Sequence, residues 1–187
     1  MDILKQSILP INDDTAMRDR LVKLYETAKH STAVIWSIEI ARHLIDISGV
    51  DLSEEYNVIM GLSLLFKYMN LDPKEMPLLN DNLDDIKSVK TAKYEITPAL
   101  LRSTALNIHS SVFTLQDVTK RVVIQVVAQA IASPFLHDHC MNCSDYAINA
   151  ITTFYRNDLE CVHEERKWQF HCLSRVINHY EEKNKDK

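Results

Sequence analysis

Apolar residues recur every three to four positions along most of the chain, which is the spacing that places them on one face of an α-helix. Capping residues and helix breakers divide this pattern into separate segments. The two glycines and five prolines leave few positions for hairpin turns, which disfavours a β-rich fold. The sequence therefore predicts an all-α fold with helices over about 13–30, 31–48, 51–71, 97–113, 115–133, 136–156 and 159–181.

Local signals predict where these helices begin and end. Gly49 is placed to end the second helix in a left-handed conformation, and Pro134 to end the fifth. Side chains with a polar oxygen, followed by helical spacing, are expected to cap the N-termini. The predicted caps are Asp13 or Asp14, Ser31 or Thr32, Asp51 or Ser53, Thr97 and Thr114.

The segment 115–133 is apolar on almost every side from Val122 to Ala132. A helix with this pattern has to be surrounded by other helices. With 187 residues, the chain has the length of one domain. We expect one all-helical domain over 1–187, a bundle of about seven to eight helices around this central helix. Its predicted connector over 72–96 is rich in loops, and its ends at 1–12 and 182–187 are frayed.

Composition and charge exclude several classes of protein. Hydrophobic residues make up 46% of the chain and charged residues 25%, as in globular proteins. The net charge of −5 disfavours nucleic-acid binding, which needs clustered Lys and Arg. No run of about 18 apolar residues predicts a membrane span, and no secretory signal is visible. We therefore expect a cytoplasmic protein whose four cysteines are reduced thiols.

The stretch "SPFLHDHCMNCSDYA" at 133–147 is rich in histidine and cysteine. His139 and Cys143 have the i, i+4 spacing of a metal-binding pair on a helix, and His137 and Cys140 the i, i+3 spacing. These two pairs point to different faces, and neither lies in a tight loop. A Cys140-x-x-Cys143 redox pair would need a preceding strand. We expect the cysteines to pack as small apolar residues, with no metal ion, no cofactor and no catalytic residues.

Polar residues share helix faces with small or apolar residues at several places. Trp36, Glu39 and His43 lie on one stripe, and Arg102 and His109 on another. Similar stripes hold Gln129, then His139 with Tyr146, then Arg166 with Gln169. Buried polar groups need partners, so these residues form either an internal network or a site for a partner or ligand.

Four segments resemble one family in chain order. "VIWSIEIARHL" at 34–44 is similar to a helix with a tryptophan, an acid and small residues, and "LRSTALNIHSS" at 101–111 to a helix with an arginine and then a histidine. "QAIASPFLHDHCMNCSDYAINAI" at 129–151 resembles a segment with Gln, His and then Asp-Tyr-Ala. "EERKWQFHCL" at 164–173 resembles a Glu-Arg-x-Trp-Gln element. The family is an all-α group of immunity proteins from bacterial polymorphic-toxin systems.

This resemblance implies a function and a set of residues. It implies a protein that binds a cognate toxin domain and blocks it, with no chemistry of its own. For such an interface Tyr146, Arg166 and Trp168 are candidate anchors that could equally belong to the core, and the large ring of Trp168 favours a core position. A metal- or thiol-dependent helical enzyme and a helical interaction domain of unknown role stay open as alternatives. The family-like polar positions, for an internal network or for a partner or ligand site, are Trp36, Glu39, Arg102, His109, Gln129, His139, Asp145, Tyr146, Glu165, Arg166, Trp168 and Gln169.

Overall fold

The structure, a computed structural model, describes residues 12–76, 78–79 and 95–182. Within these ranges there is no strand, and the prediction of an all-α fold is confirmed. Much of the predicted connector and most of both predicted frayed ends lie outside the described residues. The helices described over their full length are α1 (Thr15–Tyr25), α2 (His30–Ser48), α3 (Tyr56–Met69), α4 (Pro98–Ser111), α5 (Val118–Ala132), α6 (Asp138–Phe154) and α7 (Leu159–Glu182), with short 3₁₀ turns at Pro73–Glu75 and Val112–Thr114.

Helix α5 is the central helix, as the sequence predicts. It packs against α2, α3, α4 and α6, and its residues from Val126 to Ala132 are all buried. On α3, Gly61 permits a close approach, because a Cβ there would lie 2.7 Å from Cδ1 of Ile131 and 2.9 Å from Cδ1 of Ile108. The last helix, α7, closes the other side of the bundle by packing on α1, α2 and α6. None of the described helices combines the length and the apolar character needed to span a bilayer.

Several helix boundaries follow the local signals. Asp14 caps α1, with its Oδ1 accepting a 2.8 Å hydrogen bond from the backbone N–H of Met17. Thr97 caps α4 in the same way through the N–H of Leu100, at 3.2 Å. Gly49 follows α2 with φ of 62°, in the left-handed conformation that a C-terminal glycine supplies. These ends are set by neighbours in the sequence, and the predictions for them are correct.

Other boundaries differ from the prediction. Helix α1 ends at Tyr25 rather than near residue 30, because the Thr27 hydroxyl donates to the carbonyl of Leu24 and a turn replaces the next helical turn. Helix α2 begins at His30, before the predicted caps, and the His30 ring hydrogen-bonds the carbonyl of Ser133 at 2.8 Å. This contact joins residues 103 positions apart, so local signals do not reveal it.

The starts of α3 and α5 also lie later than predicted. The Asp51 carboxylate accepts from the N–H of Ser53, a local turn that delays α3 to Tyr56. The cap of α5 is Asp117, which accepts from the N–H of Lys120 at 3.0 Å. Thr114 belongs instead to the 3₁₀ turn that follows α4.

Candidate functional site

The fully buried guanidinium of Arg166, on α7, is the centre of a polar network. Its Nε and Nη2 donate to the two oxygens of Asp13, at 2.8 and 2.6 Å. Nη2 also donates to Oδ1 of Asp145 at 2.8 Å, while Nη1 donates to the Ser144 hydroxyl and to Oε1 of Gln169. Each of the five N–H donors that a guanidinium carries therefore has an acceptor.

A second arginine balances the charge of this network. Arg18 on α1 donates from Nε and Nη2 to both oxygens of Asp145, at 3.0 and 2.7 Å. This pairing raises the pKa of Arg18, against the opposing effect of burial. Two arginines thus face two carboxylates, those of Asp13 and Asp145. We call the group formed by Asp13, Arg18, Ser144, Asp145, Arg166 and Gln169 the Arg166 network.

The Arg166 network continues to α2 along one face of α7. The Gln169 amide nitrogen donates to Oε1 of Glu165 at 2.9 Å, and Oε2 of Glu165 lies 3.1 Å from Nε2 of His43. The His43 ring stacks on the Trp168 ring, with 3.8 Å between centroids. Trp36 also lies on α2, and its indole N–H donates to the backbone carbonyl of Gln169 on α7 at 3.1 Å. The predicted stripe of α2 therefore faces α7.

A second buried polar group lies between α4, α5 and α6. Nδ1 of His139 is 3.1 Å from Oε1 of Gln129, and the ring of His109 meets the ring of Tyr146 edge-on. Burial raises the pKa of Tyr146, while a hydrogen bond with Gln129 opposes that shift. We call these four residues the His139 cluster. It adjoins the Arg166 network because Asp145 and Tyr146 are consecutive on α6.

Two predicted residues lie at the edge of these groups. Glu39 accepts a 2.5 Å hydrogen bond from Arg42 on its own helix and lies 3.9 Å from Arg175 of α7. Arg102 places its guanidinium carbon 5.0 Å from the centre of the Phe135 ring. The remaining ten predicted positions belong to one of the two buried groups or adjoin it.

Sequence reasoning missed three members of the Arg166 network, namely Asp13, Arg18 and Ser144. Asp13 was a candidate cap, but Asp14 takes that role and leaves Asp13 to Arg166. Arg18 and Ser144 carried no signal, because an arginine on an amphipathic helix and a serine beside an aspartate are both common. The twin acids at 13–14 were the one available hint, since a helix needs only one cap.

The three candidate anchors, Tyr146, Arg166 and Trp168, differ in how far their side chains are exposed to solvent. Tyr146 and Arg166 are buried, so neither offers its side chain to a partner in this conformation. Trp168 is only partly buried, contrary to the core position that its ring area favours. Its stacking on His43 covers one face of the ring without enclosing the whole side chain. Trp168 is therefore the one accessible member of the three.

The thiols and histidines that suggested metal or redox chemistry are separated or buried. Within the described residues, no three His, Cys, Asp or Glu side chains lie together in a way that would hold a metal ion. Burial raises the pKa of Cys140 to about 12 and that of Cys172 to about 11, and it also raises the pKa of Cys143. A reactive cysteine needs a lowered pKa, because the thiolate is the nucleophile. Cys140 and Cys143 instead have raised pKa values, so both stay protonated thiols at neutral pH.

We predict that His109 makes the stability depend on pH. Its ring is buried, its Nδ1 has no hydrogen-bond partner among the described residues, and burial lowers its pKa. The unfolded chain then binds a proton more readily than the folded one. The stability present above the ordinary histidine pKa of about 6.5 is lost as the pH falls through the folded value.

Urea unfolding at pH 8 and at pH 5 measures this effect. His109→Leu is expected to lose less free energy of unfolding between these pH values than the wild type. His171 on α7 is exposed, and His171→Leu is the control that should keep the wild-type dependence. An equal loss in His109→Leu and wild type would show that His109 does not carry the effect.

Comparison with known protein families gives a match in the C-terminal half of the chain. The family described as "Imm-5 like putative immunity protein" matches residues 87–186, which is more than half of the chain. All of the candidate residues except Trp36 and Glu39 lie in this range. No curated protein matches the chain, and no solved structure does. The resemblance seen in the sequence agrees with the family match, and the chain belongs to the Imm-5-like family of immunity proteins.

Proposed function

We propose that this protein neutralises a cognate bacterial toxin by binding it, with no chemistry of its own. The observation that carries the proposal is membership of an immunity-protein family over residues 87–186. This range contains α4 to α7, and with them the His139 cluster and most of the Arg166 network. The proposal includes a cytoplasmic location, as the sequence predicts.

The internal contacts of the candidate residues support binding rather than catalysis. The donors of Arg166 are saturated, and its charge is offset by buried or nearly buried carboxylates. A catalytic group has to reach a substrate, whereas these side chains reach one another. We infer that they fix α1, α2, α6 and α7 in one register. The toxin would then meet the outer surfaces that this register holds in place.

The alternative of a thiol-dependent enzyme is not favoured by the described cysteines. Cys140, Cys143 and Cys172 are buried, and the pKa of each is raised. Cys161 is partly exposed, but its pKa is raised as well. None of the four therefore has the thiolate character that a nucleophile or redox centre needs at neutral pH.

Co-expression with the product of the adjacent gene tests the proposal. We expect a complex that survives a pull-down and that restores growth of cells making the toxin. If neither a complex nor rescue appears, the proposed function is wrong.

The stoichiometry of protection separates binding from catalysis. When purified protein is added to a fixed amount of toxin, residual toxin activity should fall in proportion and end at a fixed molar equivalence. An enzyme that modifies the toxin would instead abolish toxin activity at a molar ratio far below one protein per toxin, because each molecule turns over many times. Protection at such a fraction would contradict the claim that the protein has no chemistry of its own.

A further inference from the structure

A shallow groove of about 370 Å³ lies between α2 and α7, beside the end of α6. On the α2 side it is lined by His43 and Ile47, and on the α7 side by Cys161 and Trp168. Tyr155, just after α6, completes the apolar lining. The groove lies on the outer side of the His43–Trp168 stack, next to the Arg166 network but separate from its buried core.

The floor of this groove exposes several apolar side chains next to one another. Ile47 is 40% exposed and Tyr155 is 46% exposed, and the partly buried Trp168 ring lies between α2 and α7 beside them. Grouped apolar residues with a polar rim are typical of interaction sites, because a partner removes them from water. Tryptophan and tyrosine are also residue types that often dominate binding energy.

The rim of the groove is acidic. Glu164 is 60% exposed and is paired with Lys167 on its own helix at 2.8 Å. Glu165 lies deeper, where its carboxylate meets Gln169 and His43. Burial, followed by the nearby negative charges of Asp158 and Glu160, raises the pKa of the Cys161 thiol inside the groove. Two glutamates therefore line the groove, and two further carboxylates lie close enough to Cys161 to raise its pKa, whereas Lys167 pairs with Glu164.

We propose that this groove is where the toxin docks, and that the toxin presents a Lys or Arg side chain flanked by apolar residues. The aliphatic stem of that side chain would lie on Ile47 and Trp168. Its charged head would be attracted by the Trp168 ring and by the acidic rim. The partner chemistry is thus fixed by charge complementarity, and the toxin as occupant rests on the proposed function.

The groove is tested without the toxin by titrating two short peptides. The probes are acetyl-Leu-Arg-Leu-amide and acetyl-Leu-Glu-Leu-amide, and the readout is the NMR signal of the two tryptophan indole N–H groups, assigned with Trp168→Phe. We expect the Trp168 signal to shift saturably with the arginine peptide only. The Trp36 signal should stay, because its N–H is buried against Gln169. An unmoved Trp168 signal, or an equal shift with the glutamate peptide, would overturn the proposal.

The toxin itself is tested with a matched pair of charge variants. Ile47→Lys puts a cation into the groove and should weaken toxin binding by about tenfold or more through repulsion of like charge and loss of apolar contact. Tyr68→Lys is the control, since Tyr68 is 39% exposed and also lies in the last turn of its helix, α3. It should change affinity by no more than about twofold.

The outcomes separate this inference from the function on which it rests. If wild type and Ile47→Lys bind the toxin equally well, the toxin does not dock in the groove, and the proposed function is unaffected. A wild-type protein that binds no toxin refutes the function, and the peptide titration then decides whether the groove accepts a cation. Weakening by Ile47→Lys but not by Tyr68→Lys supports both.

Discussion

Replacing Arg166 with methionine is expected to lower the free energy of unfolding by about 3–5 kcal/mol. The loss arises because the methionine leaves the Asp13 carboxylate without its two strongest donors, in a position where water reaches it poorly. Asp145 keeps Arg18 as a partner, so its cost is smaller. Ser144 and Gln169 also lose a donor each. Removal of one partner from a buried ion pair is the costly case, whereas replacement of the whole group is not.

Urea denaturation of wild type and variants measures this loss. Arg175→Met is the matched control on the same helix, because the side chain of Arg175 is 68% exposed and its nearest carboxylate contact is 3.9 Å long. Its effect should stay within about 0.5 kcal/mol. Arg166→Lys keeps the charge but not the forked geometry and should fall between the two. A loss of less than about 1 kcal/mol in Arg166→Met would mean that the network contributes little beyond an ordinary hydrogen bond.

Replacing Trp36 with alanine is expected to cost about 3–5 kcal/mol of unfolding free energy. The indole is fully buried between α2 and α7, and its N–H bonds the Gln169 carbonyl, so the variant leaves both a cavity and an unsatisfied acceptor. Trp168→Ala removes the same side chain from a partly exposed position and should cost clearly less. Thermal or urea unfolding of the two variants compares them directly.

The two tryptophans should also differ in their effect on toxin binding. Trp168→Ala is expected to weaken the complex because the groove loses its largest ring, whereas any effect of Trp36→Ala on binding follows its loss of stability. A complex that is as tight with Trp168→Ala as with wild type would contradict this assignment of roles. The comparison is informative because the sequence analysis names both tryptophans among the family-like positions.

The helices and the central position of α5 were predictable because both depend on neighbouring residues. Helical periodicity, the Asp14 and Thr97 caps and the left-handed Gly49 are properties of a few consecutive positions. An all-round apolar segment such as that ending at Ala132 requires a surrounding bundle, whatever the order of the other helices. Boundaries failed where a side chain competed locally, as at Thr27, or where a distant contact extended a helix, as at His30.

The sequence singles out some members of the Arg166 network, but it does not predict how they pair. Arg166, Gln169 and Asp145 stood out because polar residues on inward faces need partners. The sequence does not say that Arg166 bonds Asp13, which lies 153 positions away. It equally does not say that Arg18 shares Asp145, since many acids of this chain would be plausible partners. Pairing depends on which helices become neighbours, and periodicity does not encode that.

The sequence by itself determined that this protein is a helical bundle of the immunity-protein kind, with polar residues on inward faces that need partners. Only the tertiary structure decided that Arg166 is saturated within the core while Trp168 remains open beside an acidic rim. The physical reason is that helix formation depends on residues within about one turn of each other. Burial and charge pairing depend on residues more than 100 positions apart, which folding alone brings together.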